Sequence, residues 1–193
     1  MPGQIKIDDG SGNYTILTNA GSLGSDKTIT IPNETATLAT TNGITGADQW
    51  RLTTDQTTQA DVTNWERGDS LLQGSYIGTG MTHSSGVFTF PKTGLWFVLV
   101  GGHMVTTTTN GIGDLRLTAT DDNFSTNSDI ATGRIKSGTG DDESKIYISS
   151  FVNISDTTND KVKVRFLLAG TVTLKGSTTT NETEITFVRL GDT

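Results

Sequence analysis

The chain contains no cysteine and only two histidines, His83 and His103, among its 193 residues. Without cysteine, neither a disulfide nor a thiolate metal site can form. Two histidines alone nearly exclude the usual zinc sites. The longest uninterrupted apolar run, Leu95–Val100, is far shorter than the ~20 residues that a membrane-spanning helix needs. We therefore expect no zinc centre and no membrane insertion.

Positive charge is also scarce, with 14 Lys and Arg against 21 Asp and Glu and a net charge of −7. No stretch of the sequence concentrates Lys or Arg, which disfavours binding to nucleic acid through phosphate neutralisation. The first residues, Met1–Gln4, show no basic segment followed by an apolar one, so no secretory signal is visible. Exposure to the outside is therefore expected to come from incorporation in a particle or from release by lysis.

Threonine and glycine take the place of the missing residue types, with 37 threonines and 23 glycines. Threonine is β-branched and suits a strand that has one face exposed to solvent, whereas the Gly, Asp, Asn and Ser clusters suit turns. Apolar and polar residues alternate along most of the chain, and no window shows a helical period of useful length. The composition therefore predicts an all-β protein.

Residues 1–46 form a distinct segment of weak strands. The alternation predicts four of them: Gln4–Ile7, Tyr14–Leu17, Lys27–Ile31 and Thr35–Ala39. Tyr14 is the only aromatic residue before the hinge expected at Thr41–Ala47. A segment with so few large apolar side chains cannot bury a stable core. It therefore needs a partner, and another copy of the same chain is the simplest partner.

Residues 47–193 are predicted to form a larger domain with longer strands. The expected strands are Gln49–Thr53, Val87–Phe90, Leu95–Val105, Asp114–Thr120, Ile130–Lys136, Lys145–Ile154, Lys161–Leu168 and Glu182–Leu190. Leu95–Val105 is apolar at nearly every position, which is typical of a strand covered on both faces. The irregular stretch Ala60–Gly80 has five expected core anchors: Trp65, Leu71, Leu72, Tyr76 and Ile77. Many strands separated by turn signals predict a β-sandwich or jelly roll.

One segment of this domain carries a family motif. Its residues Gly86, Phe88, Pro91, Gly94 and Trp96 resemble the Gly-x-Phe-x-x-Pro-x-x-Gly-x-Tyr hallmark of C1q/TNF-like domains, with tryptophan in place of tyrosine. The resemblance covers roughly residues 48–193. It implies a jelly-roll head that forms a homotrimer about a threefold axis through its inner sheets. Two family positions differ, since Asn159 stands for a glycine and the last strand lacks its glycine.

The N-terminal segment has a resemblance of its own. Residues 27–40, KTITIPNETATLAT, are similar to a phrase common in bacteriophage tail-fibre and other virion-fibre proteins. Such phrases typically precede a C-terminal head domain. The resemblance implies that residues 1–46 dock on another virion protein.

Polar loops are the candidates for receptor contact. If the family's strand order holds, Thr106–Gly113, Ser137–Asp142 and Gly170–Thr180 meet at the end of the domain far from both termini. Their Thr, Asn, Ser and Asp side chains suit hydrogen bonding to glycans or polar surfaces. The residues we single out are Thr108, Asn110, Ser137, Asp141, Thr178 and Thr180. The alternative, that these loops are inert caps, stays open.

Acidic clusters in the loops raise the question of calcium. Besides Asp8 and Asp9, the candidate ligands are Asp121, Asp122, Asp141, Asp142 and Glu143. Calcium takes several carboxylate oxygens, and some C1q-like domains bind it, but no cluster has EF-hand spacing. Ordinary solvated turns explain the same residues, so we expect no obligatory cofactor. A second short pattern, Arg67-Gly68-Asp69, matches the integrin-binding tripeptide, and we interpret it as structural.

These observations together predict a non-enzymatic structural protein of a bacteriophage virion. It would be a short trimeric fibre, exposed on the particle and extracellular after release. Its partners would be its own copies, another virion protein, and a host-surface glycan or protein. No Gly-x-Ser-x-Gly nucleophile motif and no phosphate-binding loop point to catalysis. A capsid-decorating head fibre and a bacterial extracellular C1q-like module remain alternatives.

Overall fold

The computed structural model describes residues 5–8, 14–17, 43–69, 74, 76–138 and 140–193. This part of the chain contains no helix, and so no helix that could cross a membrane. Its strands are β1 (Ile5–Asp8), β2 (Tyr14–Leu17), β3 (Ala47–Leu52), β4 (Ala60–Asp61), β5 (Trp65–Arg67), β6 (Thr82–Ser84), β7 (Val87–Thr89), β8 (Gly94–Thr106), β9 (Ile112–Thr120), β10 (Ser128–Lys136), β11 (Asp142–Ile154), β12 (Lys161–Ala169), β13 (Val172–Leu174) and β14 (Glu184–Gly191). The expected all-β class is confirmed.

The chain divides into two compact units, Met1–Thr40 and Thr41–Thr193. In the first unit, β1 and β2 form an antiparallel hairpin in which Ile5 faces Leu17 and Asp8 faces Tyr14. The strand predicted at Tyr14–Leu17 is therefore present, and the first strand ends one residue later than predicted. The other two expected strands, Lys27–Ile31 and Thr35–Ala39, lie outside the described residues.

The second unit is a sandwich of two antiparallel sheets. The front sheet has the order β11-β8-β14-β3-β5, with β13 also paired to β8. The back sheet has the order β10-β9-β12-β7-β6, with β4 also paired to β12. Neighbouring strands are mostly distant in sequence, and β8, near the middle of the chain, pairs with the last strand β14. This order buries one face of each sheet between them and leaves the other face of each on the outside.

Aromatic rings fill the centre of the sandwich. Phe88, Phe90, Trp96 and Phe187 are each at most 1% exposed. The ring of Phe187 lies 5.1 Å from that of Phe88 and 5.8 Å from that of Phe90, and Phe90 lies 5.3 Å from Trp96. Burying one such side chain contributes roughly 2 to 3 kcal/mol. This cluster joins strands from both sheets and fixes their spacing.

The hallmark segment builds the corner between the two sheets. Gly86 and Gly94 have φ angles of +86° and +123°, in the region that favours glycine. Pro91, which cannot donate to a ladder, follows the end of β7, and the chain then enters β8 at Gly94. The indole Nε1 of Trp96 donates to the Lys92 carbonyl at 3.0 Å, which ties the turn to the core.

Two of the expected core anchors are wrong. Tyr76 and Ile77 are each 47% exposed, because residues 76–80 run along the rim of the front sheet and only bridge to Ala47. Trp65 is confirmed as a core residue at 7% exposure. Leu71 and Leu72 lie outside the described residues. An apolar side chain in an irregular segment carries no period that would show which face it turns inward.

Candidate functional site

Two of the predicted polar loops, Thr106–Gly113 and Ser137–Asp142, meet each other and the start of the third, Gly170–Thr180, which strand β13 interrupts. The amide of Ser137 donates to the Gly111 carbonyl at 2.8 Å, and the amide of Thr171 donates to Thr108 Oγ1 at 2.7 Å. Asn110 and Asp141 are exposed, with positive φ angles of 60° and 49°. Thr108 is half-buried and has a structural role, because its hydroxyl fixes the β12–β13 turn.

Ser137 is the one loop candidate that the structure contradicts as a contact residue. It is only 1% exposed, and its hydroxyl accepts a hydrogen bond from the Gly140 amide at 2.9 Å. A short hydroxyl side chain next to glycines closes a turn at least as readily as it faces a ligand. Thr178 and Thr180 are exposed on the loop before β14, and the Thr178 carbonyl accepts a hydrogen bond from Arg51.

The acidic candidates for calcium are used inside their own loops. Both carboxylate oxygens of Asp122 accept hydrogen bonds from Thr126, and Asp122 Oδ1 also accepts from Thr120, which lowers the pKa of Asp122. Asp142 accepts from the Gly138 amide at 2.9 Å. Among the described residues, no group of three or more His, Asp or Glu side chains could hold a metal ion. Asp121 and Asp141 are exposed.

Both charged residues of the Arg67-Gly68-Asp69 tripeptide contact other residues of the fold. The guanidinium of Arg67 donates to both carboxylate oxygens of Asp48, at 2.9 and 2.8 Å, and lies 4.6 Å above the ring of Trp50. Asp69 pairs with Arg51 at 2.5 Å. Both charged groups of the tripeptide therefore have partners within the chain, in agreement with the structural interpretation.

The outer face of the front sheet has an apolar half. Phe151 is 64% exposed, Tyr147 is 58% exposed, and the ring of Phe151 lies 5.6 Å from that of Phe97. Register places Phe151, Phe97 and Val188 in one row across β11, β8 and β14. Half-buried residues of β8 extend the surface. We call the set the aromatic face: Leu95, Phe97, Leu99, Tyr147, Phe151 and Val188.

A shallow apolar depression lies at the opposite edge of the same sheet. It has a volume of about 390 Å³ and is bounded by Tyr76 and Ile77 on one side and by β3 and β14 on the other. Its floor includes Ala47, which register places in one row with Val188. The aromatic face, which extends from β11 across β8 to Val188 of β14, and this depression beside β3 thus lie toward opposite edges of one surface.

The other half of the outer front face is charged. His103 contacts Glu143 through Nε2 at 2.6 Å and Glu182 through Nδ1 at 2.5 Å. The hydrogen bond from His103 lowers the pKa of Glu182. Glu184 accepts a hydrogen bond from Lys145 at 2.9 Å, but its burial raises the pKa of this carboxyl.

The second histidine, His83, packs against Phe88 with its ring 4.9 Å away, and burial lowers the pKa of its imidazole.

The comparisons with known proteins agree with this architecture. No protein-family model and no curated protein matches the sequence. Among solved structures, the chain is similar to Eiger TNF from S. frugiperda, with a TM-score of 0.59 and 16% identity over 76% of this chain and 93% of that one. Murine APRIL matches with a TM-score of 0.54 and 11% identity over 75% of this chain and 98% of that one. The fold is a TNF-like jelly roll.

The aromatic face is what our interpretation of the sequence missed. A signal was present, because β8 and β11 both carry apolar residues at odd and even positions. In a TNF-like jelly roll, one face of these strands lies in the core. The other face of the two strands carries Phe97, Tyr147 and Phe151, of which Tyr147 and Phe151 are more than half exposed. The hallmark motif, by contrast, correctly indicated the fold.

Proposed function

We propose that this protein is a short homotrimeric fibre of a bacteriophage virion. Residues 1–46 would dock on the particle, and the jelly-roll head, residues 47–193, would face outward and bind a host surface. The role is binding and assembly without catalysis. The observation that carries the proposal is the exposed aromatic face of the front sheet.

An uncovered aromatic surface on a soluble chain favours self-association. Phe151 and Tyr147 are both more than half exposed and are next to half-buried Phe97. Covering a large apolar side chain is worth roughly 1.5 to 3 kcal/mol, so a few such residues supply much of the free energy of an interface. Aromatic residues are also enriched at the energetic centres of interfaces.

The placement of the two apolar features supports a closed ring. The aromatic face extends from the edge strand β11 across β8 to Val188 of β14, and the depression between Tyr76 and β3 lies toward the other edge. If each copy sets its aromatic face against the depression of the next, the contact is heterologous and a rotation closes it. The resemblance to C1q/TNF-like domains, which are typically homotrimers, supports three copies.

The virion role is supported by the N-terminal segment. Its phrase at residues 27–40 is similar to one found in virion fibres, and its few bulky residues call for a partner. A trimer would supply that partner and present three heads together. Three weak contacts with one surface then gain by avidity.

Light scattering on the full chain tests the assembly. The expected mass is three times the monomer's 20.5 kDa. Phe151→Ser should shift the mass toward that of the monomer, because it removes the most exposed ring of the aromatic face. Ile130→Ser, which alters a 37% exposed residue of the back sheet, should leave the mass unchanged. A wild-type mass of one chain would contradict the trimer.

Electron microscopy with an antibody against this chain tests the location. Labelling of the tail tip supports the proposed fibre, and labelling over the capsid would instead support the head-decorating alternative. Intact particles without label, together with free protein in the medium, would favour the bacterial extracellular module.

A further inference from the structure

The outer face of the back sheet gathers much of the chain's positive charge. Side chains that alternate with core residues on β9, β10 and β12 point outward here. The basic ones, which we call the basic face, are Arg116, Arg134, Lys136, Lys161, Lys163 and Arg165. They come from three strands that span residues 112–169, so their proximity is a product of strand pairing.

Carboxylates do not balance this charge. Asp61 is shared between Lys163 at 3.0 Å and Arg165 at 3.2 Å. Asp114 is shared between Arg134 at 2.5 Å and Arg116 at 3.6 Å. Arg116 also pairs with a third carboxylate, that of Asp129, at 2.7 Å.

The charge balance of this face is therefore opposite to that of the chain. Six basic and three acidic side chains give it a net charge of +3. The chain as a whole has 14 basic and 21 acidic residues, which leaves eight basic and eighteen acidic residues elsewhere, a net charge of −10.

Two arginines at the centre of the basic face oppose each other directly. Arg165 on β12 is the cross-strand partner of Arg116 on β9, an arrangement that is unfavourable for like charges. Within the described part of the chain, the Nε atoms of both are shielded from water and make no hydrogen bond, although Asp61 Oδ1 lies 3.2 Å from the Nε of Arg165 in an ion pair. The side chains are 31% and 39% exposed, so their guanidinium groups still reach solvent. An anion placed between them would relieve the repulsion.

A depression adjoins Arg116. It has a volume of about 330 Å³ and is lined by Asp114, Arg116, Thr132, Gly133 and Arg134. That volume is at the lower end of the range for small-molecule sites and suits one sugar ring. Thr132 on β10 is the cross-strand partner of Arg116, and its exposed side chain can hydrogen-bond a sugar hydroxyl.

The spacing of the charges favours a polymer with repeated anionic groups. Side chains on one strand face recur every ~6.8 Å, and neighbouring strands are ~4.8 Å apart, so the basic face offers a two-dimensional array of cations. Guanidinium forks bind carboxylate and sulfate groups through paired hydrogen bonds.

The same surface fits other polyanions less well. Phe124, the aromatic ring beside it, lies under the ammonium of Lys163 at 4.5 Å, so it is not free to stack on nucleic acid bases. Ile130, an exposed apolar side chain of β10, offers far too little surface to insert into a bilayer.

We propose that the basic face binds a linear acidic polysaccharide through Arg116 and Arg165, with Arg134 and Thr132 contacting the adjoining sugar. This inference rests on the proposed function, since it names the surface and ligand class of the outward head. The basic face lies on the opposite side of the sandwich from the aromatic face, so self-association leaves it accessible on every copy. A repeating ligand can then engage several copies at once.

Biolayer interferometry with the full chain tests the proposal. Dextran sulfate and polygalacturonate serve as sulfate and carboxylate probes, and neutral dextran serves as the blank. We expect binding to at least one charged polymer at about 50 mM NaCl, weakening as added salt screens the charges. Arg116→Gln/Arg165→Gln should lower that affinity at least about tenfold, by roughly 1.4 kcal/mol or more.

A matched double variant controls for overall charge. Lys92→Gln/Lys175→Gln removes the same charge outside the basic face and should change the affinity less than about twofold. If Arg116→Gln/Arg165→Gln folds poorly, a second double variant, Arg134→Gln/Lys136→Gln, takes its place. Both of its positions are exposed on β10, and we expect the same loss of affinity.

Three results would overturn the inference: no binding by the wild type, equal losses in both double variants, or tighter binding to single-stranded DNA or phosphatidylserine vesicles. Light scattering on the same samples separates this failure from failure of the proposed assembly. A trimer that binds host cells equally well with and without Arg116 and Arg165 would keep the function and reject this site.

Discussion

The Asp48–Arg67 ion pair joins β3 to β5 at one edge of the front sheet. Removing it tests how much this contact stabilises the folded state. The carboxylate of Asp48, in a residue that is 3% exposed, accepts from Arg67 at 2.9 and 2.8 Å and from the Met81 amide at 2.7 Å. Asp48→Ala leaves the Met81 amide without this acceptor and the guanidinium without its counter-ion. Breaking a buried pair costs roughly 3 to 5 kcal/mol. Arg67 is 28% exposed, so water replaces part of the loss, and we expect about 3 kcal/mol.

Urea unfolding at fixed protein concentration and about pH 7 measures this cost. With a slope of about 2 kcal/mol per molar urea, the midpoint should fall by about 1.5 M. Asp121→Ala, at an exposed loop position, should stay within about 0.5 kcal/mol of the wild type. In an Arg67→Met background, Asp48→Ala should cost only about 1 kcal/mol, because no unpaired cation remains. A loss below about 1 kcal/mol in the wild-type background, or the same loss in both backgrounds, would refute the reasoning.

Two further predictions concern the turn before β8 and the response to acid. Gly94→Ala should lower the melting temperature by at least about 4 °C, because φ is +123° and the new Cβ would lie 2.2 Å from the Gly191 carbonyl oxygen. Gly138→Ala adds its Cβ in open space and should leave the melting temperature unchanged. The pKa of Asp114 is lowered from its ordinary 3.8, chiefly by the Arg134 hydrogen bond. The charged Asp114 carboxylate therefore stabilises the fold above pH 3.8, and this contribution is lost as the pH falls through the lowered pKa. Asp114→Asn should therefore lower the urea midpoint at about pH 6, and its gap to the wild type should shrink as the pH falls below 3.8. A gap that stays constant with pH would contradict this.

Local patterns in the sequence were sufficient to predict much of the fold. The strands β8, β11, β12 and β14 alternate or run apolar over at least eight residues, which is long enough for the period to be unambiguous. The hallmark residues specify a corner by local means, with two positive-φ glycines, a proline and a buried tryptophan. The short strands β6 and β13 could not be predicted, because three residues carry no period and are held by pairing with distant strands.

The candidate sites were less predictable, because their members come together only across the sheets. His103 meets Glu182 although 79 positions separate them in the chain. Ser137 looked like a contact residue by type, and only the structure shows that it is buried and accepts a hydrogen bond from the Gly140 amide. Two of the predicted polar loops did meet each other and the start of the third, because antiparallel neighbours return their connections to the same edge of a sandwich.

The sequence alone determined the all-β class, the central strands and the hallmark corner, because period-two alternation and the conformational preferences of glycine and proline act over a few residues. It also showed a scarcity of basic residues with no concentrated stretch. Only the tertiary structure decided that Arg116, Arg134 and Arg165 share one face, and that Phe97 and Phe151 share another. Strand pairing brings positions tens of residues apart to within about 5 Å, and a linear pattern does not record which strands become neighbours.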